Sequence, residues 1–468
     1  MKPPILNRII PIVGALFILT AYSSPAPEGT LVITNANVIT GDGQDVLEDQ
    51  AVIINGGKIS SIQTMDTVNI PQGTEIIDAQ NAYLVPGFID THVHVGVGPV
   101  DLNMEGDVPT LYAAPSDNIA DQTLATLLKY GVTTARDPGG LTDITVGAKH
   151  RVETGEVSGP RLYVAGSIID TTPFENLVAT VKTPEDVRAE VAQQVAAGVD
   201  WIKLYTGLSK DMVAAGIDEA HARGVKATGH LESTNWKDAS ELGIDSIVHI
   251  IPGSTELLPK DKRVEYEASK VMTTSILKWF ELADFNSVEI TDMLAAMRKN
   301  NVSLDPTLVL FHAMAFGDQD TYVANPALEQ VAPALAANWR AFFTFNIGWA
   351  VEDFKYAQSV WPRVAEFVKL LHDFGILLTV GTDANNPWVV PGDSFHRELE
   401  LLTEAGISER DVITMATKNG ADLLGILDTV GTISSQKQAD LVLLKANPFL
   451  DITATRKIVW VMQNGEIQ

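Results

Sequence analysis

Three patterns of apolar spacing divide the chain. Residues 30–79 carry short runs in which apolar and polar positions alternate: Thr30-Leu-Val-Ile-Thr, Ala51-Val-Ile-Ile and Lys58-Ile-Ser-Ser-Ile. A period of two is that of a half-buried strand. Asn55-Gly56-Gly57, between the second and third runs, predicts a tight hairpin turn, because such turns need positive φ at both central residues. The far end repeats this alternation in Asp440-Leu-Val-Leu-Leu and Lys457-Ile-Val-Trp-Val-Met, followed by a turn at Asn464-Gly465 and then Glu466-Ile467. Strands at both ends, around a different middle, predict one small β-sandwich domain assembled from residues 29–83 and 427–468.

The middle, residues 84–426, alternates short apolar runs with longer segments of helical period. Strands are predicted at 84–92, 131–136, 161–167, 199–205, 225–230, 245–249, 302–310 and 376–382. Helices separate most of them, for instance at 184–197, 209–223 and 285–299. Eight strands alternating with helices predict an α/β fold, a (β/α)8 TIM barrel. A doubly wound open sheet is the alternative with the same alternation. Residues 311–360 interrupt it with an aromatic, helical stretch that includes Trp339, Phe342, Phe343, Phe345, Trp349, Phe354 and Tyr356. This stretch reads either as an insertion over the barrel mouth or as a packing subdomain away from it.

The N-terminus follows a separate logic. Lys2 and Arg8 precede the apolar run Ile9 to Leu19, and Thr20, Ala21, Ser23 and Ser24 follow. That order is the one of a secretory signal peptide, predicted over 1–24 with cleavage after Ser23 or Ser24. The run is short for a membrane span. The expectation is an exported protein, periplasmic or secreted, with no stable membrane anchor after processing.

Composition narrows the chemistry. The 468 residues carry a formal net charge of −26 and no cysteine. A surface of that sign repels nucleic acid and anionic membrane, so the expected partner is a small-molecule substrate, with homo-oligomerisation left open. Without cysteine there is no disulfide and no thiolate metal site, so any metal must be held by His, carboxylate or a modified Lys.

The candidates for that chemistry stand at strand ends. Gly87-Phe-Ile-Asp-Thr-His-Val-His puts His92 and His94 on one face of an extended strand. His230 closes Val225-Lys-Ala-Thr-Gly-His, His249 closes Asp245-Ser-Ile-Val-His, and Asp383 follows Leu378-Thr-Val-Gly-Thr. A parallel barrel brings all its C-terminal strand ends to one mouth. Lys203 sits in Val199-Asp-Trp-Ile-Lys-Leu-Tyr; it is either a salt-bridged core lysine or, since a buried lysine resists its charge, a neutral amine that can take up CO2 as a bridging carbamate. Tyr205, two residues on, is a candidate substrate contact or a core tyrosine. Arg136 is a candidate carboxylate partner, or pairs structurally with Asp137 or another acid. His312, after Pro306-Thr-Leu-Val-Leu-Phe, and His396, in Ser394-Phe-His-Arg-Glu, are further substrate-binding candidates. His150, His221 and His372 lie in helical stretches and read as surface or packing residues.

In this order, His92-x-His94, Lys203, His230, His249 and Asp383 resemble the ligand set of binuclear amidohydrolase-superfamily enzymes. More narrowly, the chain resembles the imidazolonepropionase-like and Xaa-Pro/Xaa-Arg dipeptidase branch, supported by Leu84-Val-Pro-Gly-Phe-Ile-Asp, Gly131-Val-Thr-Thr-Ala-Arg-Asp, Gly381-Thr-Asp-Ala, Gly431-Thr-Ile and Ala439-Asp-Leu-Val. The resemblance runs from about residue 30 to the C-terminus. Imidazolonepropionases and cytosine deaminases lack the lysine, so Lys203 favours the two-metal branch. It implies one divalent ion on His92, His94 and Asp383, a second on His230 and His249, and a carbamate of Lys203 between them. Zinc suits these donors, with manganese or cobalt as substitutes. The implied reaction is attack of a metal-bridged hydroxide on an amide of a dipeptide-like or N-acyl amino acid substrate, with Asp383 shuttling the proton. Alternatives with the same metal pair are a lactonase, a carbamate hydrolase or a phosphotriesterase-like enzyme; a mononuclear imidazolonepropionase-like cyclic amidohydrolase is another. A catalytically dead binding protein is disfavoured by Asp383, since a pure binder needs no proton shuttle.

Overall fold

The computed structural model describes residues 30–105, 108–270 and 274–468. The expected signal segment, 1–24, lies outside them. Strands from the two ends of this region meet. Thr30–Val38, Leu47–Asn55, Lys58–Thr64, Glu75–Asp78 and Tyr83–Pro86 share one eight-stranded sheet with Leu441–Leu444, Ile458–Gln463 and Glu466–Ile467. Where a sandwich was expected, the strands form one branched sheet. The first half of Thr30–Val38 pairs with Glu75–Asp78 and its end with Tyr83–Pro86, and its pairing with Leu47–Asn55 shifts register on either side of Ala36.

Both predicted hairpin turns are present, with positive φ at Gly56, Gly57, Asn464 and Gly465. The turns also touch each other. A Cβ on Gly57 would lie 2.4 Å from the carbonyl oxygen of Asn464, so this contact between the two ends of the described chain needs glycine.

Eight short parallel strands occupy the middle: β1 (Phe88–Asp90), β2 (Val132–Asp137), β3 (Arg161–Val164), β4 (Trp201–Leu204), β5 (Lys226–Gly229), β6 (Ser246–Val248), β7 (Ser303–Asp305) and β8 (Leu377–Leu378). One sheet runs β3-β2-β1. A second runs β4 to β8 in chain order and carries Ile168–Asp170 and Val178–Thr180 at its β4 edge. Parallel bridges Ala165–Trp201 and Val93–Ala384 link the two sheets, and Thr91 N donates to the carbonyl of Val380 at 2.8 Å. Helices such as Asp117–Lys129, Pro184–Ala197 and Lys210–Ala222 alternate with the strands and bury their apolar faces on them. The fold is α/β and TIM-barrel-like. Among the described residues, no helix is long and apolar enough to cross a membrane.

Two predicted segments change character. The strand expected over 302–310 ends at Asp305, and Leu308–Ala315 is a helix with all eight residues buried. A fully buried apolar run has no periodicity to separate strand from helix. Pro306 and Thr307, the latter at φ 47°, make the break. Of the strand expected over 376–382, only Leu377–Leu378 form a regular ladder; beyond it Thr379 N donates to the carbonyl of Leu304 at 3.0 Å and Thr382 N to that of His92 at 3.1 Å. Of the stretch 311–360, residues 351–360 belong to the long helix Val351–Phe374 that leads into β8.

Candidate metal centre

The strands deliver their polar residues to one place. His92 and His94 follow β1, Lys203 lies within β4, His230 follows β5, His249 follows β6 and Asp383 follows β8. Ring centroids of His92 and His249 are 4.8 Å apart, His92 and His94 5.2 Å, and His230 and His249 4.5 Å. One ligand atom each from His92, His94 and Asp383 lies within 4.8 Å of the others. Backbone strain helps to aim them. His249, Asp383 and Thr307 all hold positive φ, at 68°, 65° and 47°. For non-glycine residues that conformation costs roughly 1–3 kcal/mol each and persists where packing over-determines it. Gly381 lets β8 pass close: a Cβ there would lie 2.7 Å from Cβ of His92 and 3.0 Å from Cβ of Asp305.

Hydrogen bonds fix how each ring presents itself. His94 Nδ1 meets the carbonyl of Gly139 at 2.6 Å; a carbonyl only accepts, so Nδ1 carries the hydrogen and Nε2 points at Asp383. His92 Nδ1 meets Asp305 Oδ1 at 2.7 Å, which likewise turns Nε2 inward. His249 Nδ1 bonds Thr307 Oγ1 at 2.8 Å. Asp383 Oδ1 sits 3.3 Å from His92 Nε2 and 2.9 Å from His94 Nε2, yet neither contact has hydrogen-bond geometry. His92 Nε2, Asp383 Oδ1 and His230 Nδ1 are buried with no hydrogen-bond partner. Buried donors and acceptors are nearly always satisfied, so converging lone pairs of this kind suit a cation.

Electrostatics divides the cluster. Burial raises the Asp383 carboxyl, but His92 and His94 overcome it and hold it well below the usual range. Burial works to lower His94, and Asp137 and Asp383 outweigh it, raising it to about 10. Burial, reinforced by Lys203, pushes His230 down to about 3, and burial with His230 takes His249 well below its ordinary value. Lys203 is 1% exposed. Burial lowers its ammonium to about 7 against the pull of Asp305 and Asp383, and no carboxylate among the described residues lies within ion-pair distance of Nζ.

A cavity of about 310 Å³ opens above these groups. Tyr205 lines it, packed edge-on against His230 with centroids 4.9 Å apart. Burial among acidic neighbours raises its phenol, which stays protonated. Leu310, Phe311 and Met314 of the helix after β7 form one wall, and Phe343 and Phe345 from the loop before the long helix form another. Part of the aromatic insertion thus covers the mouth.

Three predicted substrate contacts are elsewhere. Arg136 is fully buried beneath the site. Its Nη2 donates to Asp305 Oδ2 at 2.8 Å, its Nε donates to the carbonyl of Thr91 at 2.6 Å, and its guanidinium covers the Trp201 ring at 4.6 Å. The structural alternative applies, with Asp305 as the acid. His312 points away from the cavity, because the segment that carries it is helical. Its Nδ1 bonds the Tyr322 hydroxyl at 2.6 Å and its ring stacks on Phe316. His396 is locked in a helix between Thr455 Oγ1 and the carbonyl of Tyr130, at 3.0 and 3.2 Å. Both are packing residues.

The supporting residues were not anticipated. Asp305 joins His92 to Arg136, Thr307 holds His249, and Asp90 ties the two flanking strand ends together through Thr382 Oγ1 at 2.8 Å. Asp305 was legible as a carboxylate at a strand end, but the apolar run behind it hid where the strand stopped. Asp305→Ala is expected to destabilise the protein by about 3–5 kcal/mol, because it leaves Arg136 charged, buried and unpaired. Denaturant melts against wild type check this; a change below about 1 kcal/mol would remove Asp305 from that role.

A family model described as Amidohydrolase family matches residues 83–468. Among curated proteins, an uncharacterised protein of Mycobacterium bovis and one of Mycobacterium tuberculosis are 26% identical over 186 residues, 36% of this chain and 44% of theirs. The match thus spans less than half the length of those relatives. An adenine deaminase of Staphylothermus marinus is 33% identical over 67 residues, 14% of this chain and 11% of its own. Among solved structures, a Xaa-Pro dipeptidase with bound methionine in the active site superposes with a TM-score of 0.69 at 22% identity, covering 94% of this chain and 99% of that one. The ochratoxinase of A. niger superposes at 0.65 with 17% identity, covering 94% and 95%. At these identities the likeness is one of fold.

Proposed function

The chain belongs to the amidohydrolase family, and from that premise we propose that it hydrolyses an amide C–N bond of a small-molecule substrate, dipeptide-like or N-acylated, at a two-ion centre. The observation that carries this is the convergence of four imidazoles, Asp383 and Lys203 around buried lone pairs that no protein group satisfies. We read the eight strands as a closed barrel, supported by the two bridges between the sheets.

His92, His94 and Asp383 would hold one divalent ion and His230 and His249 the other. Lys203, as a carbamate, would stand between them. Zinc fits the donor set; when bound, the ions supply the Lewis acidity that makes water a nucleophile near neutral pH and polarises a carbonyl. His230 would donate its lone pair through Nδ1, the atom left unpartnered, and His249 through Nε2, because Nδ1 is committed to Thr307. Asp383 keeps Oδ1 between the two imidazoles and has Oδ2 to accept a proton from the attacking water and return it to the leaving nitrogen. Tyr205 can donate its hydroxyl hydrogen to the substrate carbonyl. The apolar roof excludes bulk water and strengthens each of these contacts.

The test is metal content measured together with hydrolysis of a panel of N-acyl amides. Turnover should track bound metal, vanish with a chelator and return with zinc. Full turnover in metal-free protein would defeat the proposal.

A further inference from the structure

The cavity above the metal-centre residues carries a charge pattern that bears on the ends of the substrate. Among the described residues that line it, the sole Lys or Arg is Lys203, on the floor and within the proposed ligand set. Arg136 is committed below the floor to Asp305. The one carboxylate among the described lining residues is Asp383, also within the proposed ligand set. The walls are apolar, and several large side chains on them, Phe174, Leu177, Val178, Ile276, Phe343 and Phe345, remain only partly covered by the protein. Packing has left their surface for a ligand.

A substrate carboxylate held against these walls, away from the ions that the two-ion reading places on the floor, would lose its hydration and find no ammonium or guanidinium fork to pair with. Burying an unpaired charge is far costlier than burying a neutral group of the same shape. Resting on the amide-hydrolase reading, we propose that the substrate is a neutral, apolar amide with no free carboxylate: an N-acyl amine bearing aryl or branched aliphatic groups, rather than a dipeptide or an N-acyl amino acid as its free acid.

A matched pair tests this on the zinc-loaded protein. N-benzoyl-phenylalanine and N-benzoyl-phenethylamine share the scissile amide and the aromatic groups and differ in the carboxylate. The neutral compound should be hydrolysed with kcat/KM higher by about 100-fold or more. Equal or faster hydrolysis of the acid overturns the proposal and leaves the amide-hydrolase reading intact. If neither is hydrolysed, direct binding measured by tryptophan fluorescence decides. Tighter binding of the neutral compound upholds the substrate class and defeats the amide reading. Equal or tighter binding of the acid, or no binding of the neutral compound, defeats the class.

Discussion

Asp383→Asn is expected to retain the fold and the bulk of the bound metal while kcat falls by roughly 10²–10⁴-fold, and further if an ion is also weakened. The amide is isosteric, so the packing around β8 and the bonds that hold the strand end can persist. The charge cannot. In the metal-free protein, His92 and His94 hold the Asp383 carboxyl well below its ordinary range, so the position is a carboxylate in the neutral region. An amide oxygen in its place accepts a hydrogen bond but does not carry a proton to a leaving nitrogen. Steady-state kinetics, metal analysis and circular dichroism on one preparation separate the possibilities. Near wild-type turnover with a full metal complement would take the proton transfer away from Asp383.

Lys203 carries the second large effect. Four neutral imidazoles and one carboxylate leave two divalent ions with excess positive charge in a site of low dielectric. The lone pair of a neutral Nζ can attack the carbon of CO2 to form an N–C bond; loss of one Nζ proton to solvent leaves a carbamate anion that balances part of that charge. Burial that lowers the ammonium to about 7 makes the reactive neutral amine available near neutrality. Metal-free protein supplied with zinc and bicarbonate should therefore regain activity faster as pH rises through about 7, and slowly below it, where the amine is protonated. Lys203→Ala should lose metal, above all from His230 and His249, and lose activity with it. Lys203→Arg should fail as well, because a guanidinium stays protonated. Acetate or propionate should partly restore the alanine variant by placing a carboxylate in the gap. An alanine variant with two metals and normal rates would reject the carbamate.

The ligand candidates were legible because each stands at a strand end after an unambiguous apolar run. His92 and His94 share a face by simple alternation, and His230, His249 and Asp383 are each announced by a short strand. What surrounds them was harder to read. Asp305 and Thr307 lie where a strand turns into a buried helix without any change in hydropathy, and His312 was displaced from the cavity by the same turn. Arg136 was legible as a carboxylate partner, but which acid it meets, Asp305 rather than Asp137, depends on how distant strands converge. Phe343 and Phe345 were legible as part of an aromatic stretch, whereas their position over the cavity depends on how the loop returns to the long helix. The terminal strands and both turns could be read directly. Their union in one branched sheet depends on the partner change of Thr30–Val38, which alternation alone does not encode.

That shared sheet also constrains the order in which the chain can mature. Tyr83–Pro86 has Thr30–Val38 on one side and Leu441–Leu444 on the other, so its second neighbour leaves the ribosome only after the entire set of parallel strands has been made. Until then the N-terminal strands present an open edge of unpaired amides, a template for mispairing between nascent chains. Closing so long a loop is slow, although its entropic cost grows only with the logarithm of length. Completion of the sheet therefore waits for the last of its strands, and the interval before it is when a chaperone, or any other factor that shields a bare strand, has something to hold.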